Sequence, residues 1–247
     1  MTSTVDHLPS SVRPYIAAVL LLLVASSAQA QSVTSLFTSL PSDFAHLFTP
    51  ANGIIVGVGG AGSAAIHPKD DEIASKIAAA SGGRHDFFRA GAPLGDGVEQ
   101  SAFALGMYIV GRASHSARLG ALGADLVDAQ IVNGVLTQGL KAAVDRRRPT
   151  GSKHSFPSGH TSATLATASV IEQHYGWKVA APFYALGGYV SLSRMVDNQH
   201  WASDVIFGTA VGIVSGRAAS LGHGAHRVTV SPSLLPRGFA LVGSIRR

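Results

Sequence analysis

The stretch 141-KAAVDRRRPTGSKHSFPSGHTSATLATASVIEQHYGWKVAAPFYALGGYVSLSRMVDNQHWASD-204 sets three polar clusters in otherwise small, apolar sequence. They are Lys141 with Arg148-Pro149, then Pro157-Ser158-Gly159-His160, then Ser193-Arg194 with His200 and Asp204. Together they supply fixed cations, two imidazoles, a hydroxyl, a glycine turn and a carboxylate. Those groups suit holding and attacking a phosphoryl group, and the flanking segments read as the helices that would carry them.

Lys141 and Arg148 are seven residues apart, two helical turns, which predicts that they project from nearly one face. Arg148 also precedes Pro149, which biases it out of helical geometry and towards the following loop. Two such cations could clamp a dianion, the arginine through paired hydrogen bonds. The same residues also read as a basic helix end, since Arg146-Arg147-Arg148 complements the dipole there. Pro157-Ser158-Gly159 predicts a turn before a helix from Thr161, with Ser158 or Gly159 at the N-cap. The amides at that end form an anion site that glycine lets the backbone approach, and His160 falls in the first turn. His200 and Asp204, at i and i+4, are predicted to share a helix face and to hydrogen-bond. The acid would hold one ring nitrogen protonated and leave the other as a directed lone pair. Arg194 would fold back across a turn at Asp197-Asn198. Each cluster alone has a plain structural explanation: a basic helix end, a cap, a surface His–Asp pair. Their joint occurrence in this order is what decides.

K-x6-R-P, P-S-G-H and S-R-x5-H-x3-D, spanning Lys141 to Asp204, resemble the motifs of the phosphatidic acid phosphatase type 2 family. That family also covers bacterial non-specific acid phosphatases and vanadium haloperoxidases. All three motifs match without a departure, over about a quarter of the chain. The resemblance implies an all-α fold with the active site between the helices of a bundle. It implies that His200 is the nucleophile forming a phosphohistidine, that Asp204 orients it, and that His160 protonates the leaving oxygen and then activates water. Lys141, Arg148, Ser158, Gly159 and Arg194 would bind the phosphate oxygens. Fixed cations would take the part a metal has elsewhere, so no metal and no cofactor are expected. His154, His174 and Gln130 receive no role and read as structural.

Around this stretch the chain is sparing with charge. At 247 residues it has room for a sizeable core, only 13% of residues are charged, and there is no cysteine. The absence of cysteine excludes disulfides, thiolate chemistry and cysteine-type zinc sites. A net charge of +5 favours anionic partners, but no Lys/Arg stripe interleaved with aromatics points to nucleic acid. Tyr15 to Ala25 is an apolar run after Arg13, followed by Ala28-Gln29-Ala30, a small-x-small site. Residues 1–30 are therefore expected to be a cleaved signal peptide and the protein periplasmic or secreted, an uncleaved membrane anchor being the alternative. Residues 31–225 are expected to form the helical domain, and residues 226–247 an extended tail or small β-hairpin.

Gly57, Gly59 and Gly62 spell G-x-G-x-x-G after Ile54-Ile55-Val56, but no strand–helix repeat or correctly spaced ribose-binding acid follows. Helix packing explains these glycines better than a dinucleotide. Pro68 to Glu72 predicts a helix start with its acids solvated. Ala90 to Gly97 is predicted to be a loop. Val98 to Arg112, Leu119 to Arg147, Thr161 to Tyr175, Val179 to Leu192 and Gln199 to Ala219 are predicted helices. Clean spans of about 20 apolar residues are scarce, so a soluble helical bundle with a very apolar interior is expected, and peripheral membrane contact is left open. The expected substrate is a phosphorylated lipid or a small phosphomonoester, and the oligomeric state is left open. Two other readings compete: a vanadium-dependent haloperoxidase on the same fold, and a non-catalytic phosphate- or lipid-binding envelope protein. The second would need neither His160 nor the His200–Asp204 pair.

Overall fold

The computed structural model describes residues 39–81, 85–221, 227–235 and 238–246. The expected signal peptide lies outside the described residues. The helices, in chain order, are α1 (Leu40–His46), α2 (Pro50–Ile66), a 3-10 turn (His67–Lys69), α3 (Asp70–Ala80), α4 (His85–Arg89) and α5 (Gly91–Gly95). They continue with α6 (Gly97–Ala113), α7 (Ala117–Val144), α8 (Gly159–Tyr175), α9 (Trp177–Val196) and α10 (Ala202–Ser220). Strands β1 (Arg227–Leu235) and β2 (Gly238–Arg246) pair antiparallel, with Arg227 opposite Arg246 and Leu235 opposite Gly238. Pro232 lies within β1, opposite Leu241.

Helix starts follow their local sequence. Thr49 caps α2 through Asn52 N, with Pro50 in the first turn, where a missing N–H costs nothing. Asp96 caps α6, accepting from Val98 N at 2.8 Å, and Ser116 caps α7 through Leu119 N.

α8 is the central helix of the bundle. Every residue from Thr161 to Ile171 is buried, and α6, α7, α9 and α10 pack around it. The core is made of small residues: Ala104, Ala129, Ala166, Ala180 and Ala219 pack with Leu122, Leu126, Val170 and Ile171. Close helix approach replaces large side chains, most tightly where α10 crosses α8. A Cβ on Gly212 would lie 2.3 Å from Ser162 O, and one on Gly216 would lie 2.5 Å from Ala166 O. The buried hydroxyls and amides of α8 are bonded locally or across helices. Gln130 of α7 donates to Ala163 O and to Thr167 Oγ1, each at 3.0 Å, and Thr167 donates to Gln100 Oε1 of α6 at 2.6 Å. Gln130 is therefore a cross-helix tie. His174 has the same character, its Nε2 lying 2.8 Å from the buried Asp125.

Four local expectations are corrected. α7 ends at Val144, because Asp145 adopts the left-handed conformation (φ 42°) with its carboxylate on Lys153. Arg148 therefore does not continue the face of Lys141. α10 begins only at Ala202, with Trp201 extended as its N-cap, so His200 precedes the helix. Asp70 is buried rather than solvated, because it accepts from Ser203 N and Ser203 Oγ of α10 and from Arg146. The segment 90–97, read as a loop, contains α5. The glycine motif lies on α2, where Gly59 meets Ala210 of α10 closely and Gly57 meets nothing. On α6 the buried positions are Gln100, Ala104 and Gly111, while Phe103 and Val110 are exposed.

The α8–α10 crossing yields a direct test. Gly212→Ala places a methyl against backbone that cannot move away, and is expected to cost ~2 kcal/mol and lower the Tm by roughly 4–8 °C. Gly134→Ala, on α7 with nothing within 4 Å of the added Cβ, is expected to be neutral or stabilising. Equal losses in both variants would contradict the close crossing.

Candidate active site

The site residues come from the C-terminal side of α7, the loop into α8, the end of α9 and the turn into α10. The loop is held by Lys141, whose Nζ donates to His154 O at 2.7 Å and to Pro157 O at 2.8 Å. These bonds place the lysine beside the turn that starts α8, with its Cε 3.8 Å from where a Gly159 Cβ would be. Ser158 is the N-cap of α8. It is fully buried, and its Oγ accepts from Thr161 N and from Thr161 Oγ1 at 2.9 Å. Its own amide donates to Asp204 O at 3.1 Å, which joins the start of α8 to the start of α10. Gly159 and His160 are the first two residues of α8, where backbone N–H groups lack intrahelical partners.

Arg194 lies in the last turn of α9, and the chain reverses through Asp197 and Asn198, the latter with φ 53°. Gln199 N and His200 N both donate to Arg194 O, so the turn brings His200 back beside the arginine as expected. Arg194 Nη1 bonds Asp197 Oδ2 at 3.0 Å, and Arg148 Nη1 donates to Gln199 Oε1 at 2.5 Å. The Nε groups of Arg148 and Arg194 are buried and have no hydrogen-bond partner among the described residues.

His200 is 4% exposed and Asp204 not at all. His200 Nδ1 lies 3.6 Å from Asp204 Oδ2, an ion-pair distance rather than the predicted hydrogen bond. The reason is competition: Oδ2 already accepts from Ser155 Oγ at 2.5 Å and Trp201 N at 2.9 Å, and Oδ1 accepts from Arg146 Nη1 at 2.7 Å. His160 has its own acid, with Nε2 3.6 Å from Asp96 Oδ2. Helix α5 packs against it closely enough that a Cβ on Gly95 would be 3.2 Å from His160 Cβ.

The charges of this cluster act on one another. Burial, then Arg194, push the His160 imidazole down to about 4; Asp96 opposes this, and His200 and Arg148 add to it. Burial also lowers His200, which Asp204 opposes, while Lys141 and Arg148 reinforce the lowering. Lys141 falls to about 8 through burial and the nearby Arg148, against the pull of Asp204. Burial opposes ionisation of Asp204 too, but His200, Ser155, the Trp201 amide and Arg146 outweigh it and hold the carboxyl below its ordinary value. The site is thus a partly to fully buried cationic cluster whose two imidazoles are held towards their neutral forms and whose Asp204 carboxyl is held towards its ionised form. That arrangement can take an oxyanion and present a ring nitrogen to it.

Every sequence-predicted site residue belongs to this cluster. Four contributors were not anticipated: Asp96, Ser155, Gln199 and the Arg146–Asp70 pair. Asp96 had a usable signal, since Asp-Gly before a helical pattern marks an N-cap. Ser155 and Asp70 carry no local sign, being 49 and 133 or more residues from their partners on α10.

Comparison with known proteins points the same way. The PAP2 superfamily model matches residues 141–227. The lipid A 1-phosphatase of Porphyromonas gingivalis is 39% identical over 98 residues, which cover 37% of this chain. The match takes in only 21% of the length of that relative. The crystal structure of Aquifex aeolicus LpxE superposes with a TM-score of 0.52 at 22% identity, covering 61% of this chain and 93% of the other, a likeness of fold.

The lowered carboxyls fix a pH dependence. A carboxyl held below its unfolded value, as Asp204 and Asp70 are, stabilises the fold above the unfolded value and loses that contribution as pH falls through the native one. The Tm is therefore expected to fall as the pH is lowered from about 5 to about 3. In Asp204→Asn it should start lower and fall less over the same window. A parallel fall in the variant would show that Asp204 is not among the groups responsible.

Proposed function

We propose that the protein is a phosphatase acting on lipid phosphates through a phosphohistidine, without a metal, a reading supported by the match of residues 141–227 to the PAP2 superfamily model. The observation that carries this is the placing of His200 and His160, each with its own carboxylate at 3.6 Å, within one buried cluster with Lys141, Arg148 and Arg194. A non-catalytic anion site would need only the cations.

In the proposed reaction the substrate phosphoryl group lies between the guanidinium groups and the first turn of α8. The Nδ1 edge of His200 faces Asp204, which leaves Nε2 to attack phosphorus. As the N–P bond forms, the P–O bond to the leaving group breaks and His160 gives its proton to the departing oxygen. Water then attacks the phosphohistidine, His160 takes its proton, and phosphate leaves with His200 regenerated. Arg148, Arg194, Lys141, Ser158 and the Gly159 amide stabilise the equatorial oxygens throughout. The low native value of His160 fits this sequence, because an arriving dianion offsets the positive field of Arg194 and Arg148 and lets the imidazole hold a proton.

A lipid substrate and membrane association are supported by the surface. Residues 50–66, the whole of α2, carry no charge, and Ile54 and Val58 are 67% and 68% exposed. α9 likewise shows Trp177, Val179 and Leu192 to the outside. Among the described residues only α7 is long and apolar enough by itself to cross a membrane, with half of its apolar window buried in the protein. The similarity to the lipid A 1-phosphatase of Porphyromonas gingivalis makes lipid A phosphates a specific candidate substrate. With residues 1–30 read as a signal peptide, the proposed site of action is the periplasm.

The test is phosphate release from lipid and soluble phosphomonoesters in EDTA, followed by acid quenching with radiolabelled substrate. Full turnover in EDTA is expected, with an acid-labile phosphoenzyme that His200→Ala abolishes and His160→Ala slows by roughly 10²–10⁴-fold. Labelling of His200→Ala, or loss of wild-type turnover in EDTA, would refute the mechanism. Turnover of soluble esters alone would refute the lipid assignment.

A further inference from the structure

Arg146 lies outside the three motifs, yet it is the residue through which the carboxylate behind the candidate nucleophile is held. Its guanidinium is mostly buried and spans two carboxylates. Nη1 donates to Asp204 Oδ1 and to Ser203 Oγ, both at 2.7 Å, and Nη2 donates to Asp70 Oδ2 at 2.7 Å. Nη2 also lies 2.9 Å from His67 Nδ1, and Cζ lies 5.5 Å from the centroid of the Trp201 ring. Asp70 in turn accepts from Ser203 N at 3.0 Å and Ser203 Oγ at 2.5 Å, at the first turn of α10. The chain of contacts runs from α3 through Arg146 to Asp204 and ends at His200.

We infer that Arg146 is a positioning residue for the His200–Asp204 pair: shared between Asp70 and Asp204, it aims Oδ2 at His200 Nδ1 and takes up part of the carboxylate charge. The inference rests on the reading of His200 as nucleophile. A bare, buried Asp204 would draw a proton onto His200 and remove its lone pair. An arginine engaged with Asp204 alone would neutralise the acid and leave the ring without a partner. Sharing the cation with Asp70 sets an intermediate pull, and two other features fit that purpose. Both carboxylates use both oxygens, so neither can rotate without breaking two or more bonds. The bonds meet on Ser203 and Trp201, next to the residues they orient. The other charged or titratable groups acting on His200 are Lys141, Arg148 and His160, and they belong to the phosphate site itself.

The two acids give the inference a signature that a purely structural role lacks. Arg146→Met frees Asp204 and is expected to raise the titration midpoint of His200 by about one pH unit or more. Asp70→Asn leaves Arg146 wholly to Asp204 and is expected to move the midpoint the opposite way. Arg146→Lys, a single point charge in place of a two-sided fork, should fall between wild type and Arg146→Met. The measurement is an NMR titration of histidine-labelled full-length protein in detergent, with the His200 resonance assigned by its loss in His200→Ala. Opposite shifts in Arg146→Met and Asp70→Asn support the inference. Shifts of the same sign, or midpoints unchanged from wild type, overturn it. If Arg146→Met does not fold, Asp70→Asn and Arg146→Lys must still shift in opposite directions, and failure to do so overturns the inference equally. The titration needs no turnover, so a wild-type protein that releases no phosphate would count against the phosphatase reading and not against this one.

Discussion

Asp204 is a charged group with no exposed surface. Removing a carboxylate from water costs several kcal/mol even after the surroundings relax, so its ionisation depends on donors supplied by the protein. Those donors come from separate pieces of chain: Arg146 after α7, Ser155 in the loop, and the Trp201 amide at the start of α10. Each must be placed to within a few tenths of an ångström for the charge to be met. Satisfying one carboxylate therefore fixes the mutual positions of the α7 C-terminus, the loop 145–158 and the α10 N-terminus.

The same elements carry the chemistry. Ser155 sits in the loop that delivers Ser158, Gly159 and His160, and the Ser158 amide binds the backbone oxygen of Asp204 itself. Ser155 N donates to Arg146 O, and the side chains of both residues donate to Asp204, so the loop is tied to the arginine directly through the backbone and indirectly through the carboxylate. Stability and site geometry are in this sense one problem: the contacts that make Asp204 tolerable inside the protein are those that set His200 against His160. The glycines of α10 serve this arrangement, because only a close α8–α10 crossing brings the two helix starts within reach of one another.

The motif residues were legible because phosphate chemistry demands particular side chains, and those survive as a pattern in the letters. The bundle was legible because helical periodicity is local. What escaped was long-range or conformational. Asp145 is one of the few residue types that tolerates the left-handed region, but nothing beside it distinguishes a helix end there from one four residues later at Pro149. Asp70 reads as a helix-start acid by every local rule, and it is one; its bond to Ser203 lies across 133 residues and leaves no periodic trace. Phe103 and Val110 show the same limit in apolar form. Their spacing reports a helix face, but in a chain whose surface and interior are both apolar it does not report which way that face turns.

The buried cations resolve an apparent contradiction in the acid–base chemistry. A residue that protonates a leaving group is expected to hold a proton near neutral pH, yet His160 is pushed down to about 4. Burial is the largest cause, Arg194 the next, and His200 and Arg148 add to it, with Asp96 pulling the other way. Lys141 is lowered by the same crowding of positive charge. In the proposed reaction a phosphoryl dianion brings the sign these groups lack, so its binding would offset the part of each lowering that neighbouring cations cause and return proton affinity to His160. On that reading the acid is armed by the group it is to act on. Asp96, 3.6 Å from His160 Nε2, opposes that lowering and so partly compensates the surrounding cations in the unliganded site.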